Sequence, residues 1–600
     1  MRVGDSSRSS QTHKAEEKKE IKQDSPARQE SKTTTQSKST VSLHQRDSFE
    51  SKSLTTKASL GTKVADAAKT LAASLGSSAS AAKSTSGTVN ALAAKSTAAA
   101  KSTAAANSTA ATTSADAQAI LDKAKNNPAE ATHDLAEKLR DPKTTQEQRE
   151  ALVTSIIEKD PKTAAQILNE AGKTFDLQGK VTDADRQLIS QTVGQAWEHS
   201  NPAGQTPPVG VSGKLDAADL RAVLSPNNMN AFPEHGAQAH NLGNVFGASG
   251  SPSLQHSAAT QMYNIGKEIA AGNPVDGGAP DYTFKDTIAD SYMAGAALAA
   301  SGSPQAAQAL MNHVSRSGGA TAVNDFVERT SPAKLATTYG PDAENALGKL
   351  MQAVGNQPAT PAADQFFDAA VHEASAYAGN GLRNIGAEES VQELQKGLSQ
   401  YFQTNIQHTT DRWASSSALE DRASYAAFTS NVVFGDSFEG QDGLRKALAD
   451  NIGQRAAALQ DVPYGSEQAD IQAQRLGFLI GGAEVGFQRA LGRVEETNKA
   501  RAAMADFVID IAVAAGGAAA GGKLPNIQFG PINLQDTITD ALKDKVHEWV
   551  SEKKPDASEL TRPLREMGLS IEESYRSDMD SARDGFHTDE VEKYLDEEAN

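Results

Sequence analysis

An all-α protein is predicted, on three observations. Apolar residues recur every three or four positions over long stretches, the period of one helix face. No segment sustains the two-residue alternation of a half-buried strand. Proline stands repeatedly just after Ser, Asn or Asp, the arrangement that opens helices.

The chain has 600 residues, of which 38% are hydrophobic and 5% aromatic. Both shares are low for a chain folded throughout, so part of it is expected to lack a core. Residues 1–115 fit that part. They are Ser, Thr, Lys and Ala with few large apolar side chains, and they close on the repeat Lys95-Ser-Thr-Ala-Ala-Ala, Lys101-Ser-Thr-Ala-Ala-Ala, Asn107-Ser-Thr-Ala-Ala. We expect a disordered tail there. Residues 1–110 hold 17 Lys/Arg and 9 Asp/Glu, a net of +8; with −18 for the whole chain, the other 490 residues carry −26. An acidic body argues against nucleic-acid binding by it. The basic tail suits an export or linker segment, and its expected partner is a secretion or injection apparatus.

There is no cysteine, which removes disulfides, thiolate metal sites and cysteine nucleophiles. The first thirty residues lack an apolar signal core, so export without a classical signal peptide is expected, with residence in the cytoplasm as the alternative. No run of about 20 residues is uniformly apolar.

A small helical domain is expected over 116–225. Asn127-Pro128, Asp141-Pro142 and Asp160-Pro161 each set a capping residue before a proline. Leu135 and Leu139, then Leu152, Val153, Ile156 and Ile157, then Ile167 and Leu168 give each helix one buried stripe. Two segments in this domain are alike: Gly179-Lys-Val-Thr-Asp-Ala-Asp185 and Gly213-Lys-Leu-Asp-Ala-Ala-Asp219. Both resemble the second half of an EF-hand loop, with a turn glycine, an aliphatic and a closing acid. The first half departs from that pattern, since only Asp176 survives as an opening ligand. Asp176, Asp185 and Asp219 are the calcium candidates, and a purely structural pair of helix-loop-helix units is preferred. No metal or other cofactor is expected.

Residues 226–254, rich in Asn, Gly, Ser and Pro, read as a linker. The main helical body spans 255–553, with helix starts at Ser303-Pro304, Ser331-Pro332 and Gly340-Pro341 and stops at Gly318-Gly319 and Gly379-Asn380-Gly381. Its organising stretch is Leu476–Gly522. Leu476, Ile480, Ala483, Phe487, Leu491 and Val494 make one stripe, interrupted by Gly477, Gly481, Gly482 and Gly486. Each helix glycine costs about 1 kcal/mol relative to alanine, so four together imply that another backbone packs closely there. After a polar connection, Met504, Phe507, Val508, Ile511 and Ala515 form a second stripe, giving a helical hairpin. Phe507, Val508 and Ile511 are the candidates for facing a membrane, although Asp506 and Asp510 oppose insertion. Residues 554–600 form an acidic C-terminal tail.

Chemistry is thinly signalled. Glu234-His235 and His240 are spaced for neither helix face of a zinc site, and His372-Glu373 opens like a zincin motif that Ala376 breaks. His313 and His408 stand singly. No phosphate loop, nucleophile elbow or dinucleotide fingerprint is present, so a non-enzymatic role is favoured. A helical hydrolase with distant carboxylates remains the alternative.

Asp411-Arg-Trp413, Ala427-Phe428, Val432-Val433-Phe434, Gly443-Leu444, Leu476-Gly-Phe-Leu-Ile-Gly-Gly and Phe507-Val-Ile-Asp510-Ile together resemble helical regions of bacterial exported polymorphic-toxin proteins. The likeness spans residues 410–525 and carries over no catalytic residue. It implies export and action on another cell. The expectation is therefore an exported effector or cargo protein acting by binding a target-cell protein or membrane surface. The alternatives are a delivered cell-wall hydrolase and an intracellular or phage-internal scaffold.

Overall fold

The structure, a computed structural model, describes residues 111–600 except 174–179, 203–212, 227–233, 276–284, 340–344, 380–387, 519–527, 534–538, 563–580, most of 587–600 and a few shorter gaps. The described residues belong to one compact unit, Ser96–Asn600. The expected tail lies outside them up to residue 110. Residues 111–115 already belong to a helix spanning 111–124, which buries Ala117, Ile120, Leu121 and Ala124.

Among the described residues the fold is helical, apart from one two-residue antiparallel pairing of Gln528–Phe529 with Ile532–Asn533. The first helices start where side-chain oxygens can take the free N–H groups of a first turn. Asn127 accepts from Glu130 ahead of Pro128–Arg140, and Asp160 accepts from Thr163 ahead of Pro161–Gly172. Asp141-Pro142 departs from expectation. Asp141 closes the preceding helix, and the next, Gln146–Lys159, opens on a capping box between Thr145 and Gln148. That box satisfies two donors where Asp141 would satisfy one.

The expected linker is instead largely helix. Glu234–Gly247 packs on Pro161–Gly172 and on Lys285–Ser301. Its glycines serve contact rather than flexibility. A Cβ on Gly243 would lie 2.4 Å from the Gly295 carbonyl oxygen, and one on Gly247 would lie 2.5 Å from that of Leu298. The helix Lys285–Ser301 is the hub of this half, with every residue from Ile288 to Ala300 buried. Pro252–Ala270, Pro304–Thr330 and Ala346–Val354 surround it. Its small Ala and Gly side chains let all these neighbours approach at once. Pro304–Thr330 kinks at Gly318-Gly319, where Gly319 takes φ 63°, a conformation glycine adopts without a Cβ clash.

The second half gathers on an aromatic core. Phe367, Phe402, Trp413 and Phe428 meet with ring centroids 4.5–6.5 Å apart. The helix Leu419–Phe428 runs on into a π turn, Thr429–Val433, closed by Phe434 N–H donating to the Thr429 carbonyl. Side-chain amides take carbonyls near the turn: Gln395 donates to Asn431 O and Gln441 to Val432 O.

Against this turn lies the long helix Glu467–Leu491, the first arm of the expected hairpin. Its glycine face is not occupied by the next helix. A Cβ on Gly486 would meet Thr429 Oγ1 at 2.0 Å, and one on Gly482 would meet the Tyr425 ring at 2.2 Å. One on Gly481 would meet the Arg583 backbone at 2.9 Å. The second arm, Thr497–Ala518, lies chiefly along Gln441–Gln460, where Gly453 admits Ile511 and Ala514. Thr539–Lys553 covers it in turn, with Lys543 on Asp510 at 2.9 Å and His547 on Asp506 at 3.0 Å. The C-terminal stretch, expected as a loose acidic tail, contributes to the core. Phe586 is fully buried and packs on Phe478 and Tyr425, while Arg422 donates to the Gly585 carbonyl.

Candidate functional site

The helix Pro361–Gly379 carries a ladder of polar side chains bonded to neighbouring helices. Phe366, Phe367, Ala370, Val371 and Ala374 are buried. Asp364, Asp368 and His372, at i, i+4 and i+8, make a second stripe on the helix. Each acts as one rung of a ladder. Asp364 accepts from Tyr401 Oη at 2.8 Å and pairs with His408 Nε2 at 2.8 Å. Asp368 takes a two-pronged contact from Arg412, at 2.6 and 2.8 Å, and a third bond from Trp413 Nε1 at 3.1 Å. His372 Nε2 stands 2.9 Å from Ser424 Oγ. The planar guanidinium matches a carboxylate in this geometry.

Beside the ladder opens a cleft of about 400 Å³, between Pro304–Thr330, Pro361–Gly379 and Leu419–Phe428. Its ionisable lining is Glu328, Asp368, His372, Glu373, Glu420 and Asp421. Five carboxylates face one space, and Arg412 pairs with Asp368 while lying 3.8 Å from Asp421. Burial pushes the Asp368 carboxyl above the ordinary range; Arg412 and Trp413 pull it down, while Asp421 adds to the rise. A proton or another cation is therefore favoured here.

Two kinds of chemistry fit. An acid-lined cleft attracts Lys or Arg side chains of a partner. A serine hydroxyl against an imidazole is also the first pair of a nucleophile and base. Among the described residues no three His, Asp or Glu side chains converge as a metal centre requires.

The residues singled out from sequence fall elsewhere. Asp185 is a helix N3 residue: it accepts from Thr182 and pairs with Arg140, and the Thr182 hydroxyl caps Asp185 in return. Asp219 does the same for Asp216. Each of the two alike segments thus spells a buried aliphatic, Val181 or Leu215, then an N-cap, then an N3 acid. This uses both acids in helix capping. Asp176 lies outside the described residues. Gly477, Gly481, Gly482 and Gly486 are buried in the long helix. Phe507, Val508 and Ile511 are core, no more than 1% exposed, and Phe507 packs edge-on to Phe434. No helix of the described residues is long and apolar enough to cross a membrane. His313 contacts Asn264 and the Tyr263 ring. Burial and the nearby Lys349 charge bring His240 down to about 4; the side chain of His235 is not among those described.

Sequence reading reached His372 and His408 but missed Asp364, Asp368 and Ser424. The Asp-x₃-Asp-x₃-His spacing was the available signal. The partners Arg412, Trp413 and Ser424 lie 44 to 52 positions away, beyond the reach of helical periodicity. Comparison with known proteins found no matching family model, no matching curated protein and no matching solved structure.

Proposed function

We propose that this is an exported effector or cargo protein that acts by binding, its basic N-terminal tail serving export and its helical body engaging a basic segment of a target protein at the acid-lined cleft. The cleft is the observation that carries this reading. Five carboxylates line it, and the arginine at Asp368 is already engaged, so it complements lysine-rich or arginine-rich chains. The burial of Phe507, Val508 and Ile511 in the core supports a protein partner over a membrane surface.

The test has two arms. Fractionation of producing cells should place the protein outside them, and deletion of residues 1–60 should abolish that. Retention of full export without the tail would overturn the export half. A Lys-rich peptide should bind the full chain in a salt-dependent manner, and the Glu373→Gln/Glu420→Gln pair should weaken it about tenfold, since exposed charges each contribute about 1 kcal/mol or less. Unchanged affinity would remove the cleft from the reading.

The contact between His372 and Ser424 supports the hydrolase alternative. If peptidoglycan or peptide turnover were found and Ser424→Ala abolished it while leaving the fold intact, that reading would replace binding.

A further inference from the structure

The acid-lined cleft has a shape as well as a charge. It lies along Pro361–Gly379, a helix that packs on both Pro304–Thr330 and Leu419–Phe428. Two of its sides are single helix faces. Ala320, Val323, Asn324, Val327 and Glu328 line one, and Gln365, Asp368, Ala369, His372 and Glu373 line the other. Both sets fall at i, i+3, i+4, i+7 and i+8, one stripe along about 12 Å of helix. Glu420, Asp421 and Ser424 make the third side, from Leu419–Phe428. The space is a trough bounded by three helices.

A break in one helix makes this trough. Before the kink in Pro304–Thr330 the buried positions include Leu310, Met311 and Val314; after it they are Val323, Phe326, Val327 and Thr330. An unbroken helix would carry the buried face from Val314 to Ser317, Gly318 and Thr321, so the kink changes which face turns inward. Gly319, at φ 63° and ψ −145°, sits in a region essentially reserved for glycine. Underneath, Phe326 and Phe366 join the two helices with ring centroids 5.6 Å apart. The stripe from Ala320 to Glu328 borders the trough as a result.

The accessible surface is small in the middle and acidic at the edges. Ala320 is exposed and Ala369 lies just at the surface, while Val323 and Val327 are buried beneath. Asp368 is taken by Arg412 and Trp413 and is not offered to a partner. Glu328 and Glu420, from different sides of the trough, are both exposed. Neither side chain makes an ion pair or hydrogen bond among the described residues. Charge is therefore available on two sides of a narrow strip of alanine.

We propose that the trough receives a helix of the partner, with a seam of small residues over Ala320 and Ala369 and lysines or arginines on both flanks reaching Glu328 and Glu420. This rests on the reading of the cleft as the site of a basic partner, and narrows it from any lysine-rich chain to one with helical spacing. Helices that dock in grooves are read through anchors at this spacing. A cleft of about 400 Å³ holds the side chains of one helix face rather than a whole helix, whose diameter is about 10–12 Å. The partner thus lies along the surface and only its seam enters.

Fluorescence anisotropy on the full chain at pH 7 tests this with two labelled peptides of about 15 residues, long enough for a marginal helix. Both are built from the same alanines and lysines. In one, alanines fall at i, i+3, i+4 and i+7 with lysines on either flank; in the other, the order is shuffled so that no seam forms. The seam peptide should bind about fivefold tighter or more, the order expected from covering a small apolar strip. The Glu328→Gln/Glu420→Gln pair should weaken the seam peptide about tenfold. Ala320→Gln, which puts bulk on the strip, should erase most of the preference for the seam. All three positions are exposed, so the fold should tolerate them, and unchanged helical circular dichroism checks that. Equal binding of the two peptides would overturn the helix and leave the cleft as a site for any basic chain. Binding of neither would overturn both readings. A seam preference indifferent to Ala320→Gln and to the Glu pair would place the contact elsewhere and overturn the assignment.

Discussion

Asp185 illustrates how one carboxylate can look like a ligand and act as a cap. Burial alone would raise its pKa, but the Thr182 backbone N–H, the Thr182 hydroxyl and Arg140 outweigh burial and hold it below the ordinary range. The folded value thus lies below the unfolded one of about 3.9. The stability it contributes is present above that pH and is lost as the pH falls through the folded value. Asp185→Asn should therefore lower stability at pH 7 by about 1–2 kcal/mol, and the difference from wild type should shrink toward pH 2. Urea melts at the two pH values check this. At Asp411, Arg412 and Trp413 the roles are equally separable. Asp411 holds Arg455 at 2.7 Å and Arg475 at 3.3 Å, Arg412 holds Asp368, and Trp413 sits in the aromatic core. Three adjacent residues thereby tie four helices together.

At the scale of elements, glycine decides which helices meet. Gly486→Ala would drive a Cβ into Thr429 Oγ1 and the Ser430 backbone nitrogen, and Gly243→Ala into the Gly295 backbone. Both should destabilise by about 1–3 kcal/mol, because backbone atoms cannot yield as a side chain can. Gly492→Ala, whose nearest neighbour would be 3.6 Å away, should change stability by about 0.5 kcal/mol or less. Denaturant titration of the three variants tests the contrast. The glycines of Glu467–Leu491 announced close packing in the sequence, because a water-exposed helix would not carry them. The identity of their neighbours was not legible, since Thr429 and Arg583 approach from distant parts of the chain. Lys285–Ser301 was hidden for a different reason. A helix buried on every side has no apolar stripe, and its Ala and Gly residues carry little hydrophobic signal. The segment 226–254 misled through composition, because Gly, Asn and Ser that look like linker also suit helices pressed against other backbones.

At the scale of the whole molecule, the acid-lined cleft belongs to one helical unit, and the membrane-facing candidates are inside that unit. Liposome dye release at pH 7 should be absent, because exposing Phe507 would require Thr497–Ala518 to leave Phe434 and the helix Gln441–Gln460. Phe586 completes the aromatic core from the far end of the described chain. Phe586→Ala should cost about 3 kcal/mol, measured by denaturation, with a rise in Tyr425 accessibility to quenchers. This late closure has a consequence for timing. Gly585 is made 163 residues after Arg422, its hydrogen-bonding partner, and at about 5–20 residues per second that interval is about ten to thirty seconds. Throughout it, the slot around Gly482 stands open on the nascent chain. A body whose last contact forms only when the chain is nearly complete keeps its aromatic core unfinished for most of its synthesis. A ribosome stalled before residue 581 would hold that interval open, and nascent chains captured there should be more protease-sensitive around Tyr425 than released ones.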